Sequence, residues 1–363
     1  MSFPLVPSRD LQVIRLLECG GGNDRESRNM TIELLPSSMP VISAGYLGPS
    51  LTPNQEAVWD EATLPLNPDE LVQKMMGQPM RRAGRFIKLV CLGALACLNR
   101  VPPEELKEKK VGIFLATGLG NIDEILPFIT QVFKHDGGFP SPNQFANSVS
   151  NAAAFFLARA SEIKGIVLTI SQEELSFESA LWLAQSYLES GELDLALVGG
   201  CDVFTPSVED YRQRMNLNPG HYRNAPMGEG SSWLLLGGSG NCANKLGDIM
   251  SVELENSVKE IGKASSDHLL KQCEDLAERF LPAIEDRVNS RLFLPGFRLF
   301  DLDEASWKKH GWDIDDYLPL CGISSTASAF GLAQALLNRK STLVVHCNQH
   351  ASGRQALIAA VTR

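Results

Sequence analysis

The feature that most constrains this chain is a series of short, almost purely apolar segments that close on small residues and alternate with helix-length stretches. Four of them fall at Val111–Thr117, Ile166–Ile170, Leu193–Val198 and Ser232–Leu236, with a helical pattern over Ser176–Leu188 between the second and third. A strand that is apolar on both faces must be covered on both faces, so the pattern predicts an α/β protein with a buried sheet. An earlier run, Val41–Gly45, reads as another buried strand, and residues 81–98 have helical spacing. A second set follows at Ile249–Leu254, Arg291–Leu294, Leu318–Ile323, Thr342–His346 and Ala356–Val361, with helices over about 265–288 and 327–338. Two successive sets imply two similar halves, although no residue-level repeat is visible. The glycine-rich stretch Gly237–Asn241 marks the expected boundary, giving halves 1–240 and 241–363 within one compact unit.

Bulk properties narrow the function. At 363 residues the chain is long enough to bury a large core without metals or disulfides. A net charge of -10 argues against nucleic acid or an anionic membrane as the main partner. No apolar stretch reaches the roughly 18 residues of a membrane helix, and the N-terminus lacks a signal-peptide layout, so a cytoplasmic location is expected. Eight cysteines, at 19, 91, 97, 201, 242, 273, 321 and 347, include no CxxC pair and read as buried thiols. Gly118-Leu119-Gly120 follows a strand but lacks the third glycine of a dinucleotide loop. Asp301, Asp303 and Glu304 read as solvent-facing acids, and Gly228-Glu229-Gly230 as a tight bend before a strand; no metal site is expected. Arg81, Arg82, Arg85 and Lys88 form either a solvated basic face or a contact for an acidic partner.

Several blocks resemble β-ketoacyl synthases, in that family's order. They are VGIFLATGLGN (111–121), NSVSNAAAFFLARASEIKGIVLTIS (147–171), ESGELDLALVGGCDVFTP (189–206) and PMGEGSSWLLLGG (226–238). CGISSTASAFGLAQALL (321–337) is weakly similar to the family's "GH-x-x-G-A-x-G" helix start. The resemblance implies an α/β thiolase fold, with two pseudo-symmetric halves in a five-layered α-β-α-β-α arrangement. It also implies a dimer in which the strand before the nucleophile, here Val167–Ile170, pairs across the interface.

A condensing ketosynthase needs a cysteine thiolate and two histidines that stabilise the enolate and the thioester oxyanion. Counting back from Ala180-Leu181, the cysteine position falls on Glu174, and no cysteine lies between residues 98 and 200. One histidine position falls on Ile323, the other near Pro295–Phe297, where there is none; His346 and His350 come later in the chain. The pattern is similar to the chain-length factor, the ketosynthase β-subunit of bacterial type II polyketide synthases. The resemblance implies a subunit without condensing activity that pairs with an active ketosynthase α-subunit. By the same resemblance, acyl carrier protein, which carries the 4'-phosphopantetheine, is expected to be met transiently and mainly through that ketosynthase, and no cofactor of the chain's own is expected. The product is open between an aromatic polyketide and an aryl-polyene-like chain. The tunnel end is expected on residues 121–133, where Ile122, Ile125, Phe128, Ile129 and Phe133 recur at helical spacing; an ordinary amphipathic helix on its own core is the alternative.

Glu174 has three readings: a capping box with Ser171, a polar lid on a dead pocket, or a group that decarboxylates malonyl thioesters. Two rival functions remain. One is a stand-alone thiolase-fold decarboxylase or acyltransferase using Glu174, the other a non-enzymatic scaffold that binds a carrier protein.

Overall fold

The structure is a computed structural model that describes residues 38–49, 54, 67–134, 141–204, 227–238, 245–255 and 264–363. The strands are β1 (Met39–Leu47), β2 (Val111–Ala116), β3 (Val167–Ile170), β4 (Leu195–Asp202), β5 (Gly230–Gly237), β6 (Gly247–Glu255), β7 (Ser290–Pro295), β8 (Trp312–Ile314), β9 (Thr342–Gln349) and β10 (Gln355–Thr362). The helices are α1 (Asp69–Met76), α2 (Arg85–Leu98), α3 (Pro103–Leu106), α4 (Ile122–Lys134), α5 (Pro142–Ser148), α6 (Ala152–Ala160), α7 (Ser176–Glu189), α8 (Ala264–Ile284), α9 (Glu304–Lys309), α10 (Leu318–Cys321) and α11 (Ala327–Asn338).

All ten strands join one sheet in the order β3-β2-β4-β5-β1-β6-β10-β9-β7-β8. Counted from the first strand of each set of five, both sets read 3-2-4-5-1 from edge to centre. Strand directions repeat as well. β2 is parallel to β3 and β4, and β5 is antiparallel to β4 and β1. Likewise β7 is parallel to β8 and β9, and β10 is antiparallel to β9 and β6. The sets meet through the short ladder of Met39–Val41 with Gly247–Ile249. The repeat that the residues conceal is therefore explicit in the topology.

The apolar strands are covered as their composition demands. α7 and α11 share one cluster with residues from both strand sets, among them Phe114, Val198 and Leu234 on one side and Leu294, Val344 and Ile358 on the other. α2 and α6 cover the outer face of the first set, and α8 that of the second. The result is a five-layered α-β-α-β-α arrangement.

Two expectations need correction. Leu318–Ile323 is not a strand: Pro319 sits at the start of α10, where its missing N–H costs nothing, and Gly322 ends the turn at φ +73°. The strand partnering β7 is instead the three-residue β8, too short to carry a periodic signal. The basic residues of 81–98 also separate. Arg85 bonds Glu229, Lys88 bonds Asp69, and Arg81 and Arg82 stay exposed.

α2 lies almost on the backbone of β1. A Cβ at Gly45 would stand 2.3 Å from the Cys97 nitrogen and 2.5 Å from the Ala96 carbonyl carbon. Because those atoms belong to a helix and cannot step aside singly, Gly45→Ala is expected to cost about 3 kcal/mol, the upper end for overpacking. Urea unfolding tests this; a loss below about 0.5 kcal/mol would show that α2 shifts freely.

Candidate functional site

The site forms where β3 ends and α7 begins. Between them, Glu173 holds φ +55°, a left-handed conformation that costs a non-glycine residue about 1 kcal/mol or more. Local hydrogen bonds fix this turn. The Ser176 hydroxyl lies 2.6 Å from the Glu173 carbonyl and accepts the Gln172 N–H at 2.9 Å. Ser171 Oγ reaches the Gly118 carbonyl at 3.3 Å, so the loop that starts α4 touches the same turn. Asp202 closes that loop from β4, accepting the Gly118 and Leu119 N–H groups at 3.0 and 3.2 Å. A side-chain carboxylate thus occupies the amides that a phosphate would need.

The second half completes the site. Asn348, from β9, donates to the Glu174 carbonyl at 2.5 Å and to Glu178 Oε1 at 3.2 Å, and accepts the Phe297 N–H at 2.8 Å. Beyond β9, His350 Nε2 lies 2.8 Å from Glu173 Oε2 and 3.1 Å from Glu174 Oε2. Arg354 clamps the turn through Gln172 Oε1 at 3.0 Å and Glu173 Oε2 at 2.8 Å. His350 Nδ1 is surrounded by donors: the Ser352 N–H at 3.1 Å, the Ser352 hydroxyl at 2.7 Å and Arg354 Nη2 at 3.3 Å. Nδ1 therefore accepts, and the ring proton resides on Nε2, facing the two carboxylates.

Burial pushes Glu174 up to about 7, with the Glu173 and Asp202 charges adding to it. Deeper along α7, Glu178 is fully buried, and burial pushes it up to about 7 as well. Beside it, His346 bonds the Tyr317 hydroxyl at 2.9 Å, and burial pushes it down to about 3. Burial also lowers His350. The site thus holds neutral imidazoles and carboxyl groups poised to exchange a proton near neutral pH.

Glu173, Glu174 and His350 bring three potential ligand atoms within 4.8 Å of one another. They do not fit a metal ion. Nε2, the atom a cation would take, carries the proton, and the Arg354 guanidinium already holds the Glu173 oxygen.

Each expected site residue can now be placed. Glu174 is buried at the foot of the central helix, and it does not form a capping box: α7 has no side-chain cap, and Ser171 Oγ is engaged with Gly118. Ile323 is fully buried in the central cluster, and its carbonyl accepts the Gly228 N–H at 2.7 Å. Segment 295–297 ends β7 beside Asn348 and His346. Ile122, Ile125 and Phe128 are half-buried on α4, while Ile129 and Phe133 are exposed. The six described cysteines are all buried; burial pushes Cys91 and Cys97 up to about 12 and raises the other four. Cys19 and Cys242 lie outside the described residues. Sequence order missed His350, Arg354 and Asn348. They come late in the chain, and only the β9–β10 turn returns them to Glu174; the cluster His346-Cys-Asn-Gln-His350 was the available signal.

Comparisons with known proteins agree with this fold. Residues 63–218 match the family model described as the β-ketoacyl synthase N-terminal domain. No curated protein sequence matches the chain. Among solved structures, the ishigamide ketosynthase/chain length factor is similar, with TM-score 0.68, 15% identity, and 90% of this chain and 99% of that chain covered. The AntDE:AntF complex, a type II polyketide acyl-carrier protein with its ketosynthase bound to the hexaketide, gives TM-score 0.64 at 13% identity, covering 90% and 100%. A β-ketoacyl synthase from Burkholderia phymatum gives 0.65 at 12%, again covering 90% and 100%. The chain has a thiolase-like ketosynthase fold, with a carboxylate at the start of its central helix.

Proposed function

We propose that this chain is a non-condensing, ketosynthase-like subunit of the chain-length-factor kind, which pairs with a condensing ketosynthase in a type II polyketide system. The observation that carries this reading is a broad apolar face that stays exposed among the described residues. α4 is apolar at Ile122, Ile125, Leu126, Phe128, Ile129, Val132 and Phe133, yet none of its residues is buried. Beside it, Phe145, Val149 and Phe155 are exposed, Phe133 and Phe155 to 77% and 62%. Among the described strands β3 lies at the sheet edge, with all four residues half-buried, and in this reading that edge takes another strand. Such an area is the mark of an obligate partner surface. The loss of a thiol at position 174 supports a partner that supplies the condensing chemistry. The acyl carrier protein then brings its pantetheine arm mainly to that partner. The proposed location is the cytoplasm.

In this reading the tunnel shared by the two subunits ends on α4, at Ile122, Ile125, Phe128, Ile129 and Phe133, and the unburied apolar face of that helix supports it. Co-expression with a condensing ketosynthase tests the pairing: a one-to-one complex is expected. Phe133→Asp combined with Phe155→Asp should cut its recovery at least about tenfold, as charges are buried against apolar surface. A stable homodimer that takes up no ketosynthase would overturn the reading. Tryptophan at Ile125 or Phe128 should shorten the product, and unchanged product size with both would remove α4 from the tunnel.

A further inference from the structure

The pairing role does not require the chemistry assembled around Glu174. Glu174 Oε2 is buried and accepts no well-directed hydrogen bond, although His350 Nε2 lies 3.1 Å away. A buried acceptor with an unused lone pair calls for a donor, and water is the smallest. His350 supplies a fixed N–H beside it, because donors on every side of Nδ1 keep the proton on Nε2. Glu173, which now accepts that proton, is largely exposed and is held separately by Arg354, so a carbonyl oxygen can take its place. A base with a free lone pair beside a fixed donor meets the needs of water attack on a carbonyl. The strained turn at Glu173 and the clamp from Arg354 and Asn348 hold the pair in register.

We propose that Glu174 as acid–base group and His350 as oxyanion donor hydrolyse acyl thioesters presented on a pantetheine arm. This rests on the reading that the site faces carrier-bound thioesters, and adds a reaction to it. Glu174 Oε2 removes a proton from water as the water oxygen bonds to the thioester carbon, and His350 Nε2–H holds the developing oxyanion. The C–S bond then breaks, and Glu174 returns the proton to sulfur, leaving a carboxylic acid and a free thiol. No electrons change hands, and no further reactant is needed. A subunit that cannot hold an acyl chain on a thiol would in this way clear stalled or wrongly loaded chains.

The groups facing Glu174 are Glu173 from its own turn, Glu178 from α7, Asp202 from β4, and His350 and Arg354 from the β9–β10 turn. Burial outweighs the Arg354 charge, so the carboxylate form becomes abundant only near neutral pH. Hydrolysis should therefore rise with pH and level off above about 7.

The test uses the purified full-length chain with acetyl- and hexanoyl-pantetheine, reading free thiol. Thiol release above the buffer blank is expected, unaffected by EDTA, with the stated pH profile. Glu174→Gln should lower the rate at least about 100-fold, and His350→Ala, at a partly exposed position, by about 100-fold. Cooperative thermal unfolding and a wild-type circular dichroism spectrum establish that both variants are folded. Release no faster than the blank, equal rates in wild type and variants, or loss of release in EDTA would each overturn the proposal. No hydrolysis with intact ketosynthase pairing defeats this inference alone; hydrolysis without pairing defeats the pairing reading and leaves this one standing.

Discussion

Arg85→Ala is expected to destabilise the chain by about 3–5 kcal/mol, enough to unfold a marginal domain. Glu229 is 1% exposed, and Arg85 grips it with both a terminal nitrogen and Nε, the latter at 3.2 Å. The Phe204 N–H adds a bond at 3.2 Å. Removing the guanidinium takes the cationic partner from a buried carboxylate, so the penalty is that of a buried charge without its counter-ion and exceeds the value of the pair itself. Glu229→Gln should cost less, since it removes the charge while keeping an acceptor for the amide. The double change Arg85→Met with Glu229→Leu should recover most of the loss. Urea unfolding of the four proteins decides the matter: a double variant no more stable than Arg85→Ala would mean that packing, and not charge, governs this corner. The pair also links α2 to the start of β5, next to the Met227–Ile323 bridge between the halves. Its loss should therefore loosen the joint that positions the central helices.

The second large effect is on pH dependence. Burial raises Glu178 from 4.5 to about 7, so the folded state binds its proton more tightly than the unfolded chain does. Stability from this group is complete below the unfolded value and is lost as pH rises through the folded one. Between pH 4.5 and 7 the wild type should lose on the order of 3 kcal/mol here. Glu178→Gln keeps an acceptor for Asn348 and has no proton to lose. It should match the wild type near pH 4.5 and be more stable by about 2–3 kcal/mol at pH 8. Parallel stability curves for the two proteins from pH 4.5 to 8 would exclude an ionising Glu178. Glu174 titrates over the same range and is coupled to it, so the double variant should flatten the curve further.

The fold was legible wherever one segment carries its own periodicity. The apolar strands β2, β4, β5, β9 and β10 and helices α7 and α11 lie within a few residues of their expected positions, because burial on both faces leaves a continuous apolar signature. β8 and α10 were not legible. One has three residues, and the other has an apolar composition whose geometry Pro319 and Gly322 decide.

Glu174 shows the same division in the site. By itself the sequence determined that residue 174 is no thiol and that an α/β architecture surrounds it; Ile323 at an imidazole position is what the resemblance implies. The sequence could not determine what Glu174 meets, because His350, Arg354 and Asn348 lie more than 170 residues further along the chain. Contacts across such a separation are set by the register of β9 beside β10 and by the packing of the two halves on α7 and α11, which leave no local pattern. Of the three readings open for Glu174, the tertiary structure alone decided against the cap and set a buried acid beside a fixed imidazole, since burial and proximity are properties of the packed core.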